Sequence, residues 1–193
     1  MLDLTDLPAC SPISGAAFTN PQQIGVPPVG IDRASTVPYP SIITVTGLQG
    51  VISQVVVTIN GFMDPGHSVT PFGHLQLVLV APDTTTSVLL VSEAGNGAAN
   101  TPPVTFTISD TAPGLIPSTG PIPNGTFQPT VRSGSNNNIT PPAPQTAPYP
   151  ATLSTFNGMD PNGTWSLYAH DPFVGHGMII NNGWTLTFDT TCP

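Results

Sequence analysis

The sequence predicts an all-β fold, a jelly-roll-like antiparallel β-sandwich preceded by an extended, Pro-rich N-terminal arm. Apolar residues recur at every second position in several short runs, as they do in half-buried strands. The chain contains 25 Pro and 19 Gly among its 193 residues, and these turn formers separate the runs. No segment shows the apolar period of an amphipathic helix. Together these observations favour many short strands over any helical architecture.

The length of 193 residues suits one domain with an arm. Residues 1–40 contain proline at seven positions, too many for a helix, so we predict an extended arm over this range. Residues 41–193 are predicted to form the sandwich. Within them, residues 111–150 carry many Pro, Gly, Ser and Asn residues and are predicted to be a long loop with at most short strands.

Seven segments carry the strand pattern: 41–47, 51–61, 74–82, 87–93, 104–110, 164–171 and 182–190. The last two each place a tryptophan on the apolar face, Trp165 with Leu167 and Trp184 with Leu186. That position favours burial of both tryptophans in the core over stacking on a sugar.

Cys10 and Cys192 are the two cysteines of the chain and lie near its ends. Because the termini of a domain often lie close together, we predict a disulfide between them, which implies an oxidising compartment. Two unpaired thiols are the alternative at this stage.

Charged residues make up only 6% of the chain, and the formal net charge is −8. A nucleic-acid-binding protein needs a basic surface to displace counterions from phosphates, and two arginines cannot supply one. No apolar run reaches the length that spans a membrane, so we predict no membrane insertion. Solubility is expected to rest on uncharged polar residues.

Three segments together resemble the P domain, or Homo B domain, that follows the protease domain of proprotein convertases. They are QVVVTINGF with FGHLQLVLVAPDTTTSVLL, then LSTFNGMDPNGTWSLYAHD, then GHGMIINNGWTLTF. They occur in order over roughly residues 40–190, and the likeness is greatest to the form found as a module in bacterial surface and secreted proteins. The resemblance implies a jelly-roll-like sandwich without chemistry of its own.

The resemblance also implies where a metal would bind. His74 and His176 stand where the family carries Asp, and Asp171 is retained. Ca²⁺ prefers carboxylate oxygens, so those two histidines weaken an inherited calcium site. Asp160 and Asp171 are the best candidates for Ca²⁺, and His74, His176, His170 and Asp171 are the candidate set for Zn²⁺. The alternative is that these side chains stabilise turns and strand ends.

No nucleophile elbow, zinc-protease motif or phosphate-binding loop is present, so no enzymatic activity is expected. The sequence therefore favours a non-catalytic structural or interaction module of an extracellular or cell-surface assembly. One alternative is a self-assembling subunit of a filament or a virion decoration protein, with the N-terminal arm adding a strand to a neighbour. A carbohydrate-binding module is the other.

Overall fold

A computed structural model of the chain describes residues 10–25, 35–64, 73, 75–95, 98–132, 139–172 and 177–192. These residues form two curled, mostly antiparallel sheets packed face to face, which confirms the predicted all-β sandwich. A single turn of 3₁₀ helix, Leu153–Phe156, lies between two of the strands.

Twelve strands are found in the described residues, numbered here in chain order. They are β1 (Ala16–Asn20), β2 (Ile24–Gly25), β3 (Ser41–Val45), β4 (Val51–Asp64), β5 (Gln76–Val80), β6 (Ser87–Ser92), β7 (Asn100–Ile108), β8 (Gly125–Phe127), β9 (Thr130–Val131), β10 (Gly163–His170), β11 (Ile179–Ile180) and β12 (Trp184–Thr191). All seven segments with strand pattern contain a strand.

The larger sheet is built around the long strand β4. On one side β4 pairs with β12 and with β11. β12 pairs in turn with β1, and β11 pairs with β2. On the other side it pairs with β7, which pairs with β8. The smaller sheet has the order β3-β10-β5-β6-β9. Apart from the two short parallel pairs made by β8 and β9, every pairing is antiparallel.

The core lies between the sheets and follows the alternation in the sequence. In β12 the side chains of Trp184, Leu186 and Phe188 are fully buried, and the intervening threonines point outward. Trp165 of β10 is also fully buried and packs against the ring of Phe188, with ring centroids 5.3 Å apart. Both tryptophans therefore lie in the core, as their place in the pattern predicts.

The two lateral sides of the sandwich are closed. On one side the Asn20 side chain at the end of β1 donates hydrogen bonds to Ser41 Oγ and to the carbonyl oxygen of Ile42 in β3. On the other side residues 125–131 run along both sheets, first as β8 beside β7 and then as β9 beside β6. Residues 125–131 thereby pair with the edges of β7 and β6, which would otherwise be open to pairing with another chain.

The described part of residues 1–40 contains β1 and β2. Phe18 of β1 packs against the buried Phe188 ring at a centroid distance of 6.3 Å, because the sequence AAFTN continues the alternation onto the edge of the larger sheet. Residues 16–20 and 24–25 of the predicted arm are therefore strands of the sandwich itself. The nearby prolines hid this strand pairing in the sequence.

Residues 139–150, here called the cover segment, lie on the outer face of the smaller sheet. Ile139, Ala143 and Tyr149 pack there against Val78, Val80, Leu89 and Tyr168. The backbone N–H of Leu89 donates to the carbonyl oxygen of Pro150 at 2.8 Å. The sequence predicts residues 111–150 as a loop with short strands. In the structure, β8 and β9 lie within this range. Other described residues of the range pack against the two sheets.

The three tyrosines of the chain meet where the cover segment packs on the smaller sheet. Tyr39 donates from its hydroxyl to the carbonyl oxygen of Thr140 at 2.7 Å and stacks edge-to-face on Tyr168 at 5.0 Å. Burial raises the pKa of Tyr39 above its ordinary value of 10.0, and hydrogen bonds with Thr140 and Ser35 partly oppose that rise. Burial also raises the pKa of Tyr149 and of Tyr168.

We therefore expect the cover segment to loosen at alkaline pH. A raised folded-state pKa means that the tyrosines' contribution to stability is complete below pH 10 and is lost as the pH rises through the folded values. Ultraviolet absorbance should show tyrosinate forming with midpoints above 10.0 in the folded protein. A midpoint at or below that value for all three would contradict this packing. Tyr39→Phe, which keeps the aromatic ring but removes the ionisable hydroxyl, is the matched variant.

Gly183 lies between the turn at residues 181–182 and the start of β12, in the left-handed conformation with φ +64°. A Cβ at this position would lie 1.9 Å from the backbone carbonyl oxygen of Asn20, which cannot move without shifting β1. Gly183→Ala is expected to lower the free energy of unfolding by about 2–3 kcal/mol, measured by chemical denaturation. Gly114→Ala is the control, because nothing lies within 4 Å of its added Cβ and the effect should be below about 0.5 kcal/mol.

Candidate binding surface

The outer face of the larger sheet carries a row of five threonines, one on each of five neighbouring strands. The residue registers align Thr19 of β1 with Thr185 of β12, then with Thr58 of β4, Thr107 of β7 and Thr126 of β8. The hydroxyls of Thr19 and Thr185 lie 2.9 Å apart, and those of Thr58 and Thr107 lie 3.0 Å apart. With strands about 4.8 Å apart, this threonine row is about 19 Å long.

More uncharged polar side chains flank the threonine row. Asn60 donates to the hydroxyl of Thr185 at 3.2 Å, and the hydroxyl of Thr105 accepts from the backbone N–H of Gly61 at 3.1 Å. Asp189 lies toward the C-terminal end of β12, where one of its carboxylate oxygens accepts hydrogen bonds from Ser14 Oγ and from the backbone N–H of Gly15. The described part of this face is therefore rich in hydroxyl groups and nearly free of charge.

A groove with two lobes adjoins this face. The first lobe has a volume of about 220 Å³ and is lined by Ser53, Gln54, Val55, Asp110, Thr111, Leu153, Ser154 and Asn157. The second lobe has a volume of about 200 Å³ and is lined by Asp110, Gln128, Pro129, Ala151 and Thr152. Asp110 lines both lobes, and we call the two together the Asp110 groove.

Asp110 is held in place by the start of the 3₁₀ helix. One carboxylate oxygen accepts from the backbone N–H of Leu153 at 2.8 Å, and the other accepts from that of Ser154 at 2.7 Å. These bonds tie the turn after β7 to the segment before β10. The floor of the groove is thus positioned by two parts of the chain that are 43 residues apart.

Amide and hydroxyl groups form the walls. Gln54 and Thr111 lie across one rim, with Gln54 Nε2 at 3.5 Å from Thr111 Oγ1. Gln128 on the opposite side donates from Nε2 to the carbonyl oxygen of Ala112 at 2.9 Å, which fixes the orientation of its amide. Asn157 and Ser154 are exposed to solvent. Amides and hydroxyls both donate and accept hydrogen bonds, so this lining can match a ligand that does the same.

The structure separates the two candidate calcium ligands. Asp160 precedes β10 and Asp171 follows it, so the eight residues of that strand place them about 25 Å apart. Asp160 Oδ1 accepts from the backbone N–H of Asn162 at 2.9 Å and from its side-chain amide at 2.7 Å. Asp160 therefore stabilises a turn, as Asp residues commonly do.

Asp171 is fully buried beside His170, at the far end of the smaller sheet. There the Nδ1 atom of His170 lies 3.3 Å from Gln76 Oε1, and Gln76 Nε2 donates to Ser92 Oγ at 3.2 Å. His74 and His176 lie outside the described residues, so their part in a metal site stays a prediction. In the described part of the chain, no group of three or more His, Cys, Asp and Glu side chains is arranged to hold a metal ion.

Cys10 and Cys192 form a disulfide, which confirms the predicted pairing and makes the alternative of two free thiols wrong. The bond joins the start of the described chain to the end of β12, with the two Cα atoms 5.8 Å apart. The disulfide is compatible with an extracellular location. Among the described residues there is no apolar helix of membrane-spanning length.

Fold and surface define the class of this protein as a disulfide-linked, all-β sandwich with a neutral, hydroxyl-rich face and an adjoining polar groove. Comparison of the chain with protein-family models, with curated proteins and with solved structures gives no match in any of the three. The resemblance to a P domain therefore rests on the sequence segments alone.

Sequence reasoning missed both the threonine row and the Asp110 groove. A signal for the row was present, because Thr105 and Thr107 in β7 and Thr185 and Thr187 in β12 alternate with buried residues. The alignment of the row across strands depends on register, which the sequence does not specify. The groove offered no signal, because its polar residues come from strand β4 and from turns that are distant in the sequence.

Proposed function

We propose that this protein is a non-catalytic interaction module of an extracellular or surface assembly, in the manner of the P domain that its sequence resembles. The observation that carries the proposal is the neutral face of the larger sheet, where the threonine row offers hydroxyl groups on a scaffold that cannot easily deform. Functional surfaces on rigid strands are held more accurately than those on loops.

The use of the acidic side chains supports the non-catalytic part of the proposal. Asp83 accepts from the backbone N–H groups of Thr85 and Thr86 at 2.9 and 2.8 Å, in a turn between β5 and β6. Asp110, Asp160 and Asp189 likewise accept hydrogen bonds in turns or at strand ends. General acid–base catalysis needs such groups gathered within reach of one substrate. These four acids instead stabilise four separate places in the fold, in turns or near strand ends.

The test is binding of the purified protein to the envelope and extracellular material of the cells that produce it. Wild-type protein should bind saturably, and a variant with the row disrupted by Thr58→Arg and Thr107→Arg should bind at least tenfold more weakly. This double variant should keep the wild-type circular dichroism spectrum, because both changed side chains lie on the outer face of the sheet. Thr44→Arg, on the exposed side of β3, is the matched control.

Saturable binding that is unchanged in the row variant would place the contact surface elsewhere and contradict the role of the threonine row. Turnover of an ester, peptide or glycoside by the purified protein, lost when one of the described acids is changed to its amide, would contradict the non-catalytic proposal.

Self-assembly by strand addition has less structural support than an interaction through the sheet face. Residues 16–25 already pair within their own sandwich, and residues 125–131 close its other side. The alternative is tested by light scattering on the whole chain and on a chain lacking residues 1–9. Removal of residues 1–35 would delete β1, β2 and Cys10, so it would test folding instead of assembly.

A further inference from the structure

The Asp110 groove differs from the other cavities in the described chain by its chemistry. Another cleft, of about 390 Å³, lies beside Leu115, and its described lining includes the charged side chains of Glu93 and Arg132. The cavity near Asp64 has room for about one water molecule, with a volume of about 10 Å³. The described lining of the Asp110 groove consists mainly of amide and hydroxyl side chains, and its two lobes together are large enough for a small ligand.

The charge of the groove limits what it can bind. Its described lining has one carboxylate, Asp110, and no cationic side chain. Each oxygen of that carboxylate already accepts one backbone hydrogen bond, and a single carboxylate is fewer anionic ligands than a bound divalent cation normally has. An anion would meet Asp110 and a chain whose formal net charge is −8. The groove is therefore suited to a neutral ligand.

The hydrogen-bonding groups indicate which neutral ligand fits. Three amide side chains, Gln54, Gln128 and Asn157, surround the groove together with the hydroxyls of Ser53, Thr111, Thr152 and Ser154. A sugar hydroxyl donates one hydrogen bond and accepts others, and amides supply both partners in fixed directions. A site built from such groups also rejects an analogue that lacks the hydroxyl, because its own polar groups then lose their partners.

The groove continues into the larger sheet's outer face, which favours a chain over a single sugar. Gln54 of β4 lies in register with Asp189 of β12. Asp189 in turn accepts a hydrogen bond from the backbone N–H of Gly15. Four residues farther along β4 is Thr58 of the threonine row. An extended, hydroxyl-bearing ligand could therefore occupy both lobes and lie along the strand toward the row.

From this geometry we infer that the Asp110 groove binds a strand of neutral polysaccharide. Gln54, Gln128 and Asn157 contact sugar hydroxyls, Asp110 orients the turn that separates the lobes, and the threonine row extends the contact along the sheet. The inference rests on the proposed interaction function and names its ligand class. Because the described lining holds no aromatic side chain for stacking, binding depends on hydrogen bonds.

The experiment is affinity electrophoresis of the whole, disulfide-intact protein in gels containing soluble β-glucan, mannan, xylan or α-glucan. At least one of these neutral polymers should retard the protein, and polygalacturonate should not. Gln54→Ala and Asn157→Ala should each weaken retardation about fivefold, the typical effect of one lost hydrogen bond. Gln22→Ala is the matched control, since it removes an exposed amide in the turn between β1 and β2.

No retardation by any of the four neutral polymers would overturn the inference, as would retardation that is equal in wild type, Gln54→Ala and Asn157→Ala. Stronger retardation by polygalacturonate than by the neutral polymers would also overturn it. Each variant is checked by thermal unfolding, so that a loss of fold is not taken for a loss of binding. Failure here leaves the proposed function standing if the threonine-row variant still loses its attachment to envelope material.

Discussion

Trp165→Ala is expected to lower the free energy of unfolding by about 4 kcal/mol, and the melting temperature by about 12 °C. The side chain is fully buried and packs edge-to-face on Phe156, with ring centroids 5.0 Å apart. Its indole N–H donates to the carbonyl oxygen of Pro161 at 2.8 Å. Truncation therefore leaves a large cavity between the sheets and a backbone carbonyl without its donor.

Chemical denaturation of three variants separates these contributions. Trp165→Phe should cost less than Trp165→Ala, because the benzyl ring fills part of the space although the N–H is lost. Leu115→Ala is the control, since that side chain is 59% exposed and its removal should change stability by less than about 0.5 kcal/mol. If Trp165→Ala were as mild as Leu115→Ala, the two-sheet core described here would be refuted.

Removing the disulfide is expected to destabilise the protein by about 3–5 kcal/mol. The bond closes a loop with a sequence separation of 182, and so restricts nearly the whole unfolded chain. In the folded state the first described residues would depend on the hydrogen bonds between Ile13 and Thr190, at 2.8 and 3.1 Å, and on the pairing of β1 with β12. Chemical denaturation of Cys10→Ser/Cys192→Ser measures the loss.

The same bond gives a second readout and an internal control. Hydrogen exchange in the double variant should rise most in β1, because the disulfide holds the segment that leads into this edge strand. Addition of a reductant should reproduce the loss of stability in wild type and change nothing in the double variant. Equal stability of oxidised and reduced wild type, with reduction verified by mass spectrometry, would contradict the proposed stabilisation.

Much of the fold was predictable from local pattern. Alternation in residues 51–61 and 182–190 identified β4 and β12, because only one face of each strand meets the other sheet. The same alternation correctly predicted that Trp165 and Trp184 are buried. It failed for residues 16–20, where a strand of five residues lies among prolines and gains its stability from Phe188, far away in the sequence. Edge strands of this kind depend on tertiary contacts more than on their own pattern.

The candidate surface was less accessible to sequence reasoning. Asp160 and Asp171 looked equivalent in the sequence, but a strand separates them, and each serves a different end of the sandwich. Gln54, Asp110 and Asn157 carried no motif, and they meet because β4, β7 and the 3₁₀ helix converge at one corner. Polar residues in turns are too common for such a meeting to be read from their spacing.

The sequence by itself determined the all-β class, the inward-facing residues of the main strands and the buried tryptophans, and it predicted the pairing of Cys10 with Cys192 that the structure then confirmed. The fold class and the buried residues follow from the two-residue period of apolar side chains, which is a local pattern. The disulfide prediction follows from there being only two cysteines to pair. The tertiary structure alone decided the strand neighbours, the threonine row, the Asp110 groove and the packing of the cover segment. Each of these depends on register and on contacts between distant residues, which local periodicity does not encode.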